Sequence, residues 1–208
     1  MINKIMNNIK AIIFDYGGVI IKDTDEILIQ DIADKFHMSN TEALDIINVL
    51  VKPYQRGTIS DEEFWKQFSQ KAGKILPNGY ASLWIDKYDV AGIIDARVID
   101  LVKKLKNSGY LTALLSNTIP PHMRLNQKQG FYDLFDPVLL SPETDTRKPE
   151  EKIYQIMLEK INLSPDECVF IDDKKKYVDT ALKIGMHGLK FDSYEKLIVD
   201  LNKLNIAA

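Results

Sequence analysis

The chain has one cysteine in 208 residues, which excludes an internal disulfide and fits a reducing compartment, the cytoplasm. The neighbours Val169, Phe170 and Ile171 make Cys168 a buried strand residue rather than a nucleophile. The three histidines, His37, His122 and His187, have no ligand spacing, which argues against zinc. No apolar run approaches the roughly 18 residues of a membrane span. Met1 to Lys10 lacks the sustained apolar stretch and small-residue cleavage site of a secretory signal. Neither sign of charge dominates, since 27 Lys and Arg against 30 Asp and Glu give a net charge of -3. Nucleic acid and anionic membrane are therefore not expected partners. Repeats and low-complexity segments are also missing. The remaining composition, 45% hydrophobic and 27% charged, is that of a globular protein with one large domain or a domain carrying a substantial insertion.

The chain is organised around Ala11-Ile-Ile-Phe-Asp15-Tyr-Gly-Gly18. The uninterrupted apolar run reads as a strand buried on both faces, as in a parallel α/β sheet. Asp15 then stands at its carboxyl end, where such sheets place their ligand sites. Gly17 and Gly18 let the backbone turn tightly and approach a ligand. From Ile21 the pattern turns helical. Thr24–Phe36 puts Leu28, Ile32 and Phe36 on one face; Ser39-Asn-Thr-Glu42 is a capping box for a helix carrying Leu44, Ile47 and Val51, stopped by Pro53. Ser60-Asp-Glu-Glu63 opens a further helix with Phe64, Trp65 and Phe68, and a last segment holds Leu83, Trp84 and Tyr88. These aromatics are expected to form the insertion's own small core. Arg56 and Tyr54, in the break between two helices, are candidates to face a substrate.

Regular alternation resumes near residue 92. A helix over Ala96–Lys106, closed by Gly109, leads to a strand at Leu111–Leu115 that ends in Ser116-Asn117-Thr118. The short strand Pro137–Leu140 runs into a polar loop and Lys148-Pro149, with Pro149 suited to the first turn of the next helix. The strand Cys168–Ile171 ends in Asp172-Asp173; a helix capped by Gly185, a strand over Gly188–Phe191 and a last helix opening at Asp192 complete the chain. Alternation of this kind implies a parallel sheet with right-handed crossovers. All carboxyl ends then share one rim, which gathers Asp15, Ser116, Asn117, Lys148, Asp172 and Asp173. Adjacent carboxylates repel unless a cation lies between them, and hard oxygen ligands suit Mg²⁺. A carboxylate nucleophile, a divalent ion and a fixed ammonium are what phosphoryl transfer needs. A small-molecule phosphate ester is thus the expected partner.

Phe14-Asp15-Tyr-Gly-Gly-Val19, Leu115-Ser116-Asn117-Thr118, Arg147-Lys148-Pro149 and Phe170-Ile-Asp172-Asp173 resemble the four ordered motifs of the haloacid dehalogenase superfamily of hydrolases. The match is to the subfamily with a helical cap inserted after the first motif. Arg56-Gly57, Phe135-Asp136 and the run from Ala181 to Met186 are lesser echoes. The resemblance implies an α/β, Rossmann-like three-layer core with a parallel sheet over residues 1–20 and 92–208, and a four-helix cap over 21–91. It implies a Mg²⁺-dependent phosphatase working through an aspartyl-phosphate on a small phosphorylated metabolite such as a sugar phosphate. Carried over, Asp15 is nucleophile and metal ligand, and the Gly17 carbonyl is a second ligand. Ser116 and Asn117 bind phosphoryl oxygens, Lys148 stabilises charge, and Asp172 and Asp173 anchor the metal, with Asp173 the direct ligand.

Two residues depart from that pattern. Most phosphatases of the superfamily carry an acid-base Asp two residues after the nucleophile, where this chain has Gly17; some members with Gly there are assigned as sugar-phosphate phosphatases. Losing such a proton donor typically costs about 10²–10⁴ in rate. Expulsion is then easiest for a weakly basic departing oxygen, as in an anomeric sugar phosphate or an acyl phosphate. His122 is a distant substitute acid. Lys174-Lys-Lys-Tyr177 replaces the usual Ser and Asn; its lysines neutralise the site, bind an anionic substrate or form a solvated helix face. A dehalogenase, and a phosphate-binding protein with weakened turnover, are the alternative readings.

Overall fold

Each apolar run that ends in a polar rim residue is a strand. The computed structural model describes residues 8–88 and 93–207. Within them β1 (Ala11–Phe14), β2 (Leu111–Ser116), β3 (Val138–Leu140), β4 (Cys168–Asp172) and β5 (His187–Lys190) form one parallel sheet in the order β3-β2-β1-β4-β5. The central β1 is flanked by β2 and β4, with Phe14 level with Leu114 and Ile171. This register brings Asp15, Ser116 and Asp172 to one edge. After β3 the chain crosses to the other side of β1, which places the switch in strand order at Asp15, where open α/β sheets bind ligands.

Both faces of the sheet are buried, as the run in β1 requires. Ile12 and Phe14 pack on one face with Val98, Leu101 and Leu105 of α4 (Ala96–Asn107) and Leu197 and Leu201 of α8 (Tyr194–Lys203). Ala11 and Ile13 pack on the other with Ile153, Tyr154 and Met157 of α6 (Glu151–Ile161) and Tyr177 and Ala181 of α7 (Lys175–Lys183). Gly109 and Gly185, at φ +91° and +94°, follow α4 and α7 in the left-handed conformation that closes a helix. Cys168 is fully buried, and burial pushes its thiol up to about 12, consistent with a strand residue and not a nucleophile.

The insertion holds α1 (Asp25–Phe36), α2 (Asn40–Gln55), α3 (Asp61–Ala72) and one 3-10 turn at Tyr80–Ser82 among the described residues. The expected fourth helix and the expected boundary at 91–92 fall partly or wholly outside them. The Ser39–Glu42 box is formed in both directions, whereas at Ser60 only the serine half is present, because Glu63 receives Gln67 instead. The aromatics of the insertion do pack on one another. Trp65 stacks on Phe36 at 6.0 Å and meets Phe64 edge-on at 5.1 Å, but this cluster is continuous with the core on one face of the sheet.

Two local expectations need correction, and one helix is added to the reading. Pro53 does not stop α2, which continues to Gln55; the ring removes one N–H, that to the residue 49 carbonyl, close to the helix end. Pro149 lies before the first turn of α6: the Lys148–Pro149 peptide is cis and the helix opens after Glu150. The stretch after Thr118 is a helix, α5 (Pro120–Lys128), whose two prolines occupy the opening positions where no N–H is needed.

Candidate active site

Lys148 is the centre of the rim. Its Nζ lies 2.8 Å from Asp15 Oδ1 and 2.6 Å from Asp172 Oδ2, and its side chain is 0% exposed. A buried ammonium persists only when its charge and donors are met. Here two carboxylates do so, and the rings of Phe170 and Tyr177 lie 5.4 and 5.1 Å from Nζ. Burial opposes the charge on Lys148, yet Asp15 and Asp172 outweigh it and hold the pKa above the ordinary lysine value. Burial likewise pushes the Asp15 carboxyl up to about 6, with Lys148 opposing and Asp172 adding to the rise. The ion pair with Lys148 favours the charged form of Asp15. Its Oδ1 also accepts the Tyr16 N–H at 2.7 Å.

The two adjacent aspartates are differently placed. Asp172 uses both oxygens: Oδ2 meets Lys148, and Oδ1 accepts the Lys174 N–H at 2.8 Å. Asp173 Oδ1 is buried with no hydrogen-bond partner among the described residues. Burial, the first cause, and the Asp15 charge push the Asp173 carboxyl up, against Lys174. Asp15, Asp172 and Asp173 each offer an oxygen within 4.8 Å of the others. An orphaned carboxylate oxygen beside two more carboxylates is costly without a cation. Three oxygen donors with room for water fit Mg²⁺. Gly18 makes this arrangement possible. At φ +77°, a Cβ there would stand 2.6 Å from Asp173 Cγ, so a side chain would displace the carboxylate. A Cβ on Gly17, by contrast, would meet nothing within 4 Å. Space does not forbid an acid at that position.

Asp15, Gly17, Ser116, Asn117 and Lys174 line one side of a cavity of about 250 Å³. Ser116 is buried at the end of β2. The Asn117 side chain does something the sequence did not suggest. Its Nδ2 donates to the Lys148 carbonyl at 2.9 Å and its Oδ1 accepts the Lys148 N–H at 2.8 Å. Expected on phosphoryl oxygens, the amide instead fixes the backbone that carries the central lysine. Of the three lysines after Asp173, Lys174 lines the cavity, Lys175 pairs with Asp179 at 2.7 Å and Lys176 lies over the Tyr177 ring at 5.0 Å.

The insertion-side candidates are redirected. Arg56 does not line the cavity: it bonds the Asp145 carbonyl at 2.9 Å and Glu150 at 2.7 Å, clasping the insertion to the chain on either side of Lys148. Gly57 belongs to the same contact, since a Cβ there would fall 2.4 Å from the Pro142 carbonyl oxygen. Tyr54 is fully buried, donates to Asp61 at 2.7 Å and stacks on Phe64, so it faces no substrate. His122 is not a substitute acid. Burial lowers its pKa to about 4, its Nε2 lies 2.6 Å from the Trp84 carbonyl and its ring stacks on Tyr88 at 3.7 Å. His122 nevertheless lines the cavity, together with Leu28 of α1, Leu44, Ile47, Asn48 and Val51 of α2, and Trp84. Their helical spacing was visible, but it reads equally well as a closed core face.

The description of haloacid dehalogenase-like hydrolases matches residues 9–185. The sesquiterpene phosphatase astK of Aspergillus oryzae is 27% identical over 94% of this chain and 96% of its own. The D-ribitol-5-phosphate phosphatase of Bacteroides thetaiotaomicron is 26% identical over 93% and 99%. A solved HAD family enzyme of that bacterium, in complex with magnesium and inorganic phosphate, superposes with a TM-score of 0.76 at 25% identity, covering 91% of this chain and 98% of that one.

Proposed function

The chain belongs to the haloacid dehalogenase-like hydrolases, and from that premise we propose that it is a Mg²⁺-dependent phosphomonoesterase of a small phosphorylated metabolite. The observation that carries this reading is the buried Asp15–Lys148–Asp172 chain beside the orphaned Asp173 Oδ1. The two phosphatase relatives and the magnesium and phosphate complex support it. Asp15, the Gly17 carbonyl, Asp172 and Asp173 are the groups to hold the ion, with Asp173 the direct carboxylate. Bound there, Mg²⁺ supplies charge neutralisation for the phosphoryl oxygens.

Asp15 Oδ1 is fixed by Lys148 and the Tyr16 N–H, which leaves Oδ2 to attack phosphorus. The P–O bond to the organic group breaks as the aspartyl-phosphate forms, and water then cleaves that acyl phosphate to regenerate Asp15 and release inorganic phosphate. Ser116 and the backbone N–H groups after β2 hold phosphoryl oxygens, and Lys148 offsets the charge of both carboxylates during transfer. Asn117 keeps Lys148 in place. The core over 1–20 and 92–208 supplies this chemistry, and the cap over 21–91 encloses the organic group. A dehalogenase would give the orphaned Asp173 oxygen no role, since halide expulsion needs no cation. A single buried thiol is in keeping with a cytoplasmic setting; among the described residues no helix is long and apolar enough to cross a membrane.

The test is phosphate release from p-nitrophenyl phosphate with and without Mg²⁺. Activity is expected to vanish with a chelator and to fall on the order of 10⁴–10⁶-fold in Asp15→Asn. Turnover that survives both treatments would refute the assignment.

A further inference from the structure

Resting on the phosphatase reading, we infer that Tyr177 is a positioning residue: its ring closes the chamber around the Lys148 ammonium and stands where a third acceptor would otherwise be. An ammonium carries three N–H donors and no acceptor. Lys148 directs two of them at Asp15 Oδ1, 2.8 Å away, and Asp172 Oδ2, 2.6 Å away. No further oxygen or nitrogen among the described residues meets Nζ. What covers its remaining side is aromatic. Nζ lies over the Tyr177 ring at 5.1 Å from its centre and over the Phe170 ring at 5.4 Å. The face of such a ring attracts a cation, most strongly where water is shut out. Here it is shut out, since Lys148 and Phe170 are 0% exposed and Tyr177 only 5%.

Tyr177 is itself held for this task. It stands in the first turn of α7, where its carbonyl accepts the Tyr154 hydroxyl at 2.9 Å. The Tyr154 ring meets Phe170 edge-on at 5.3 Å, so one residue ties the two covering rings together. The Tyr177 hydroxyl lies 3.4 Å from Asn117 Nδ2, the amide that grips the Lys148 backbone. Tyr177 thus touches the head of the lysine and the group that fixes its root. It lines the cavity and Lys148 does not, so the ring is part of the partition between the ammonium and that space. A ring has no lone pair to exchange for one of water. The ammonium therefore stays between its two carboxylates when the site fills, and Asp15 Oδ1 stays anchored while Oδ2 attacks. An oxygen in place of the ring would draw the ammonium away from Asp15, and a misplaced nucleophile loses rate.

The full chain is assayed with p-nitrophenyl phosphate and Mg²⁺ after Tyr177→Phe, which keeps a ring, and Tyr177→Leu, which keeps apolar bulk without one. Tyr177→Leu is expected to lower kcat roughly 3- to 30-fold and to move KM less than about twofold, while Tyr177→Phe stays within about threefold of the wild type. Tyr177→Phe carrying one and then three ring fluorines weakens the charge of the ring face at nearly constant shape. Across that series kcat is expected to fall stepwise, a trend that packing alone does not produce. The fluorinated series also decides the question if the leucine variant fails to fold. Wild-type kcat in Tyr177→Leu, an equal loss in Tyr177→Phe, or a flat fluorinated series would each overturn the role of the ring and leave the phosphatase standing. Absence of any Mg²⁺-dependent hydrolysis by the wild type would overturn both.

Discussion

On the core side of the cavity the groups around Asp15 are tied to one another, with Asp173 Oδ1 the exception. Lys148 bridges two carboxylates, Asn117 clamps the lysine's backbone, and the backbone N–H of Lys174 donates to Asp172. On the insertion side the lining mixes Leu28, Leu44, Ile47, Val51 and Trp84 with Lys22, Asp23, Asp25 and Asn48, and the ties Arg56 to Glu150 and Gln55 to Arg147 lie at the seam between the two. The difference is what phosphoryl-transfer chemistry requires. A fixed charge constellation must be preorganised to within tenths of an ångström, whereas an organic group is recognised by shape and by removal from water, which tolerate variation. One half is therefore constrained residue by residue, and the other only by pattern.

The sharpest way to break this contrast is Trp65→Ala. Trp65 is buried among Phe36, Phe64, Phe68 and Trp84 and touches none of the charged groups. Its loss is expected to cost about 3–5 kcal/mol in thermal or denaturant unfolding. If the insertion is a recognition element, KM for the substrate rises more than kcat falls. Gly17→Asp probes the other side, because a Cβ at that position would meet nothing within 4 Å. It is expected to raise hydrolysis of a simple alkyl phosphate by up to about 10²-fold and that of an aryl phosphate little, by restoring a proton donor. Equal wild-type rates on the two esters would mean that the departing oxygen needs no help here.

His122 sharpens the comparison at the junction. Its folded pKa, about 4, lies below the ordinary 6.5, so the unfolded chain binds the extra proton first. Stability is then complete above about pH 6.5 and falls as pH drops towards 4, by about 2–3 kcal/mol in all. Unfolding free energies measured across this window should show the slope, and His122→Gln should remove it. The smallest effect is expected at the seam. Arg56 and Glu150 are about one-third exposed, so Arg56→Ala should change stability by less than about 1 kcal/mol. A several-fold change in KM without a stability change would mark the clasp as a closing contact.

Some of the site was readable because it is one-dimensional. Asp15, Ser116 and Asp172 each follow or end an apolar run, and a parallel sheet delivers all such positions to one edge whatever lies between. The resemblance of four motifs in order added the family. Other features depend on partners far apart in the chain. Arg56 finds Glu150 94 residues away, and Asn117 finds Lys148 31 residues away. A lone Arg or Asn carries no local sign of such a partner, so both were expected to face substrate. His122 carries no local sign of its environment either, because Trp84 and Tyr88 come from the insertion.

The parallel sheet, the rim and its charges thus follow from local pattern: hydrophobic periodicity, the handedness of crossovers and the repulsion of adjacent carboxylates act on any chain with these residues. The tertiary structure alone decided that Leu44, Ile47 and Val51 face an open cavity instead of a closed core, and that Asp173 rather than Asp172 keeps an unpartnered oxygen. Burial and pairing are properties of three-dimensional neighbours, and an amphipathic stripe is the same in sequence whether it covers a protein core or a bound molecule.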